Sequence, residues 1–218
     1  MIKQRIDFEN RNALAKGLAD RVARGLSRAI SRQGFAVLAV SGGTTPALFF
    51  EFLSNEDISW DKVTITLVDE RQVDEASPRS NARLVKASLV QNLARQAKFI
   101  PIYQNQIAAE ALSLDVVVLG MGEDGHTASF FPGGDRLAEA LDTSKSAAIV
   151  SMKAPGAGEP RLTYTLRALT NAKVLCLHIE GQKKREVLEN ASAGTDVMAM
   201  PIRAVLQADQ ELEIFWCP

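Results

Sequence analysis

Two cysteines and two histidines are little raw material for metal or redox chemistry in a chain of 218 residues. Cys176 and Cys217 lie far apart and form no C-x-x-C pair. The histidines, His126 and His178, are equally distant, so no set of metal ligands is available. Charge of one sign is lacking as well. The net charge is −1, which excludes bulk attraction to nucleic acid or to an anionic membrane. No run approaches the ~20 apolar residues that span a bilayer. The opening Met1-Ile2-Lys3-Gln4-Arg5-Ile6-Asp7 has no apolar signal-peptide region. Repeats, low-complexity tracts and obvious linkers are missing too, so residues 1–218 are expected to form one domain. A monomer or small homo-oligomer in the cytoplasm is the expectation.

What is present is ordinary globular material: 46% hydrophobic and 23% charged residues. Such a chain can bury a sizeable core without disulfide or metal. Leu14, Leu18, Val22, Leu26 and Ile30 recur every four residues, with Ala15, Ala19 and Ala23 beside them. This predicts a helix of roughly six turns, stopped by Gly34. The apolar run 35–40 predicts a strand buried on both faces. Pro46 suits the first position of a second helix, with Thr45 as its cap.

The alternation continues. Strands are predicted at 63–68, 99–102, 115–119, 147–152, 162–166, 174–179 and 212–216, and helices from about 81 and over 183–190. A polar loop is expected over 69–80. Cys176 reads as a small core residue. Strands alternating with helices imply a three-layer α/β fold, a mostly parallel sheet with helices on both faces. Ligands bind such sheets beyond the carboxyl ends of the strands. Polar or glycine-rich segments follow four strands here: 41–43, 69–71, 120–126 and 181–184.

Ser41-Gly42-Gly43-Thr44-Thr45, between strand and helix, can wrap an anion with backbone N–H groups and a helix N-terminus. It lacks the P-loop lysine and is not the G-x-G-x-x-G fingerprint; a turn that binds nothing is the plain alternative. In Asp69-Glu70-Arg71, Glu70 reads as a solvated strand end, whereas the Arg71 guanidinium suits phosphate or carboxylate. Gly120-Met121-Gly122-Glu123-Asp124-Gly125-His126-Thr127 is the sharpest signal. Histidine is the natural general base near neutral pH, and Asp124 can orient its ring or hold the water. His178, inside an apolar strand, reads as a satisfied core residue. Lys183 and Arg185 read as a solvated face, while a lysine in the first turn of their helix can reach back over the rim.

Segments 40–46 (VSGGTTP), 67–84 (LVDERQVDEASPRSNARL), 115–133 (DVVVLGMGEDGHTASFFPG), 159–169 (EPRLTYTLRAL) and 179–188 (IEGQKKREVL) together resemble the 6-phosphogluconolactonase family. The resemblance implies a fold like that of glucosamine-6-phosphate deaminases, a sugar-phosphate substrate and no cofactor. Carried over by position, Ser41, Gly42, Gly43 and Thr44 would cradle the phosphate with Lys184. Arg71 and Arg161 would add charge at the phosphate or carboxylate end. His126 would be the general base and Asp124 its partner. The segment 104–114 is shorter than the helical stretch usual in the family. A deaminase would carry a glutamate five residues after the histidine, where this chain has Phe131. A sugar-phosphate sensor could dispense with Asp124 and His126, which are both present.

Overall fold

The computed structural model describes residues 3–103 and 106–218, and for Lys3, Gln106 and Ile107 the backbone alone. The chain opens with β1 (Lys3–Asp7) and α1 (Arg11–Gln33), then β2 (Ala36–Val40), α2 (Ala47–Ser54), β3 (Val63–Leu67) and β4 (Asp69–Arg71). It continues through α3 (Asn81–Ser88), β5 (Lys98–Phe99), α4 (Gln106–Glu110), β6 (Val116–Leu119) and α5 (Leu137–Leu141). Next come β7 (Ile149–Met152), β8 (Arg161–Tyr164), α6 (Leu166–Thr170), β9 (Val174–Glu180), α7 (Gln182–Ala193), α8 (Ile202–Gln207) and β10 (Leu212–Cys217). The short 104–114 stretch thus holds α4, while residues 104 and 105 lie outside the described residues.

α1 follows its sequence pattern. The Asn10 side chain accepts from the Ala13 N–H at 2.9 Å, and Gly34 ends the helix at φ +85°. Loss of such a cap costs about 1 kcal/mol. Leu14, Leu18, Val22 and Leu26 are wholly buried, and the helix lies against α2 and strands β2, β6, β9 and β10. α2 departs from expectation. Pro46 precedes the helix rather than opening it, and no side chain caps its N-terminus, so Thr45 is not a cap.

Seven strands form one parallel sheet in the order β1-β10-β9-β6-β2-β3-β5. Every residue of β2 and β6 is buried, so both faces of the sheet centre are covered. Cys176 is fully buried in β9, as its apolar setting predicted. The order also shows where a crevice must open. From β2 the chain proceeds to β3 and β5, and from β6 to β9 and β10, in opposite directions across the sheet. The switch point falls between the carboxyl ends of β2 and β6.

A second, antiparallel sheet of β4, β8 and β7 was not foreseen. It takes up the strands predicted at 147–152 and 162–166, and it claims Asp69, Glu70 and Arg71 from the expected loop. Glu70 is a correction: it is 1% exposed, not solvated. Its carboxylate accepts from the N–H groups of Arg71 (2.7 Å), Asn81 (2.9 Å) and Ala82 (2.7 Å), and from the Ser80 hydroxyl (3.2 Å). A carboxylate at the N-terminus of α3 meets unpaired N–H groups and the positive end of the helix dipole. Those bonds hold the site's second sheet against α3.

Candidate active site

A cleft of ≈ 240 Å³ opens at the switch point. Drug-sized ligand sites span about 300–1,000 Å³, so this one suits a single small metabolite. Ser41, Gly42, Gly43, Thr44, Arg71, His126, Arg161 and Lys184 all border it. Asp124 does not; it sits behind His126.

The loop after β2 is tied to the strand beside it. The Ser41 N–H donates to the Val118 carbonyl at 3.0 Å, and the Gly120 N–H donates to Ser41 Oγ at 3.0 Å. Gly43 takes φ +96°, which few side chains tolerate. Among the described residues, nothing accepts the N–H groups of Gly42, Gly43 and Thr44. Gly42 lies against Asn81, so a Cβ there would fall 1.9 Å from Asn81 Oδ1. Asn81 was missed in the sequence. It is 2% exposed, and its Nδ2 donates to the Asp69 carbonyl at 3.0 Å. The only sequence cue is its place after the Ser80 cap of α3.

Arg71 and Arg161 are partners across β4 and β8, which puts their side chains on one face. Arg71 Nη1 donates to the Arg79 carbonyl, and Arg161 Nη2 to the Ala157 carbonyl at 2.6 Å. Arg161 Nη1 stands 3.6 Å from Asp69 Oδ2, which also accepts from Ser129 Oγ at 2.5 Å. Both Nε atoms are buried without a partner. Burial lowers the Arg161 pKa; Asp69 opposes that shift and Arg71 adds to it. Two half-satisfied guanidiniums side by side are a ready anion site.

The loop after β6 carries the histidine. The Gly122 N–H donates to the His126 carbonyl at 2.8 Å, closing the turn, and Gly125 adopts φ +79°. The Gly125 carbonyl accepts from the Ile202 N–H at 2.9 Å, which fixes the loop to the start of α8. His126 Nδ1 lies 2.5 Å from Asp124 Oδ1, and that oxygen also accepts the His126 N–H at 3.1 Å. The ring bond is the main reason the Asp124 pKa falls to about 2, against opposing desolvation. An ionised Asp124 can only accept, so Nδ1 carries a hydrogen and neutral His126 keeps its lone pair on Nε2. The other side of the ring is apolar. Phe131 stacks on it with centroids 4.3 Å apart and planes 26° from parallel, and Arg161 Cζ lies 5.3 Å from the Phe131 centroid.

α7 follows Gly181, where φ is +86°, and brings Lys184 back over the rim. Lys184 Nζ donates to the Met121 carbonyl at 2.7 Å. Burial lowers its pKa, with Glu123 and Asp124 opposing. Lys183 points outward to Glu123 at 2.9 Å, as predicted for a solvated face. Arg185 is only partly so, since its guanidinium lies 4.9 Å from the Trp216 ring centre. His178 is buried and bonded to Glu180 at 3.1 Å, a satisfied residue as expected, yet both also line the cleft wall. Among the described residues, no group of three or more histidine, cysteine, aspartate or glutamate side chains could hold a metal ion, and no helix is long and apolar enough to cross a membrane.

Comparison with known proteins bears on this geometry. The family model for glucosamine-6-phosphate isomerases/6-phosphogluconolactonase matches residues 9–216. A 6-phosphogluconolactonase of Rhizobium meliloti (strain 1021) is 52% identical, over 97% of each chain. One from Pseudomonas aeruginosa is 42% identical, covering 94% of this chain and 90% of that protein. The crystal structure of a 6-phosphogluconolactonase from Shewanella baltica superposes with a TM-score of 0.94 at 39% identity, covering 100% of this chain and 98% of that one. The chain therefore belongs to the family of glucosamine-6-phosphate isomerases and 6-phosphogluconolactonases.

Proposed function

We propose that the chain is a 6-phosphogluconolactonase: it hydrolyses 6-phospho-D-glucono-1,5-lactone to 6-phospho-D-gluconate, the second step of the oxidative pentose phosphate pathway. The observation that carries this reading is the 2.5 Å bond of His126 to Asp124, beside a cleft that also holds unpartnered N–H groups and cations. The 6-phosphate sits on the N–H groups of Gly42, Gly43 and Thr44, with Ser41 and Lys184 around it. Arg71 and Arg161 receive charge at the phosphate or carboxylate end.

A lactone is already an activated acyl group, so a positioned water and one base suffice. His126 Nε2 takes a proton from water as its oxygen bonds to C1. The oxyanion that forms is met by backbone N–H groups or by Arg71. On collapse the bond from C1 to the ring oxygen breaks, and the imidazolium returns its proton to that oxygen. Asp124 holds the ring in the tautomer this requires and steadies the imidazolium. The anchored phosphate holds C1 near the water. Phe131, an apolar ring, supplies none of the additional acid–base groups that deamination of an amino sugar demands. The cytoplasm is the proposed compartment, and one domain the proposed organisation, supported by a single continuous hydrophobic core.

The test is ring opening of freshly prepared lactone, measured above its spontaneous rate, for wild type and His126→Ala. The variant is expected to lose about 10²–10⁴-fold in kcat with little change in KM. A folded His126→Ala protein of near-normal kcat refutes the mechanism. Release of ammonia from glucosamine 6-phosphate, with no lactone hydrolysis, refutes the activity.

A further inference from the structure

We infer that Phe131 is a positioning residue for His126, a rigid plate that sets the plane of the imidazole. The inference rests on the proposed role of His126 as the base. Three observations lead to it. The two rings overlap at 4.3 Å with planes 26° apart, a stacked contact rather than a chance edge approach. Phe131 is only 4% exposed and has the Arg161 guanidinium near its ring, so it cannot tilt freely. The chain between the two rings is also bent to bring them together. Ala128 adopts φ +49°, rare for a residue with a side chain, and the Phe130 N–H donates to the Thr127 carbonyl at 2.9 Å. The Thr127 hydroxyl donates to the Gly120 carbonyl at 2.7 Å, anchoring the reversal to the end of β6. Strain at one residue is maintained where the surroundings over-determine it, and such residues gather at working sites.

The physical need is plain. Asp124 holds Nδ1 at one edge of the ring, but a single hydrogen bond still tolerates tilting of the ring plane, and with it of Nε2. A flat apolar surface beneath it removes that freedom and keeps Nε2 directed into the cleft.

Phe131→Leu keeps an apolar side chain and removes the plate; Phe131→Tyr keeps the plate. Each is to be checked for cooperative unfolding, for kcat and KM on the lactone, and for affinity toward 6-phosphogluconate. The leucine variant is expected to lose about 10–100-fold in kcat at nearly constant KM, as for a reacting group displaced by about 1 Å. The tyrosine variant should recover most of it. A second readout needs no activity. The chain has only two histidines, so their ring-proton signals in NMR are readily assigned. The His126 signal should lie upfield in wild type and Phe131→Tyr, and move downfield in Phe131→Leu. Normal kcat in folded Phe131→Leu overturns the inference. So does a loss that falls wholly on KM or product affinity, which would make Phe131 a support for Arg161. An unshifted His126 signal in wild type overturns it too, whatever the enzyme's substrate. If the NMR shift appears while no lactone is hydrolysed, the stacking stands and the proposed activity fails.

Discussion

Gly122 offers a way to disable the site without removing any of its functional groups. A Cβ at this position would lie 2.1 Å from His126 Nδ1, 2.2 Å from its Cε1 and 2.4 Å from Asp124 Oδ1. Ordinary contact begins near 3.4 Å, so Gly122→Ala drives the ring and the carboxylate back by about 1 Å and parts them. The backbone itself accepts alanine, since Gly122 is not among the glycines at positive φ. Both displaced side chains are partly exposed, at 31% and 47%, and can swing toward solvent. The cost to folding should therefore be small, within about 1 kcal/mol. The cost to chemistry should not: a 1 Å misplacement is worth about 10²-fold in rate, or ~2.7 kcal/mol. The assay is lactone hydrolysis corrected for the spontaneous reaction, with product binding by calorimetry and urea unfolding as controls. We expect kcat to fall about 10²-fold with product affinity near wild type. A folded Gly122→Ala enzyme with unchanged kcat would show that the His126–Asp124 contact does not matter for turnover.

Lys184→Ala should weaken 6-phosphogluconate binding by about 1.5–3 kcal/mol, the worth of a lost charge-assisted hydrogen bond. Unphosphorylated gluconolactone should be hydrolysed equally by both proteins, and an equal loss on both substrates would assign Lys184 a structural role. Asp124→Asn should be less stable than wild type at about pH 4–5. A depressed carboxylate pKa contributes stability above its unfolded value of 3.8 and loses it as pH falls through about 2, so the difference should close over that window. A difference that widens in acid would contradict the pairing. Glu70→Gln must present an NH₂ to at least one of the N–H groups its carboxylate now accepts. It should cost about 1–3 kcal/mol in urea unfolding, and an unchanged midpoint would refute the capping role.

The parallel sheet and α1 were legible because each carries its own periodicity. The stripe from Leu14 to Leu26 and the stop at Gly34 need no tertiary partner to be recognised, whereas the Asn10 cap emerged only with the structure. The continuous apolar runs of β2, β6 and β9 announce burial on both faces. The loops that follow these strands could then be placed on one rim by topology alone. β1 could not be found, because Lys3, Gln4, Arg5, Ile6 and Asp7 form an edge strand through pairing with β10 rather than through any pattern of their own. Asn81, and the stacking of Phe131 on His126, escaped for a different reason. Their roles depend on where a side chain ends up, against Gly42 in one case and His126 in the other. Residue type gives no hint of that.

The Asp69-Glu70-Arg71 triplet shows why a charged segment can be a strand. Its antiparallel partner, Arg161 to Thr163, supplies the backbone bonds, so no apolar face is needed to hold it. Side chains then alternate. Asp69 and Arg71 face the cleft, while Glu70, between them, points the other way into the N–H groups of α3. Two cations held across one pair of strands repel each other and would separate on a mobile loop. Here Arg71 is fixed through the Arg79 carbonyl, Arg161 through the Ala157 carbonyl, and β4 itself through Glu70. The buried carboxylate therefore acts on the proposed substrate site without touching it. It fixes the strand on which Arg71 stays beside Arg161, as the proposed anion site requires.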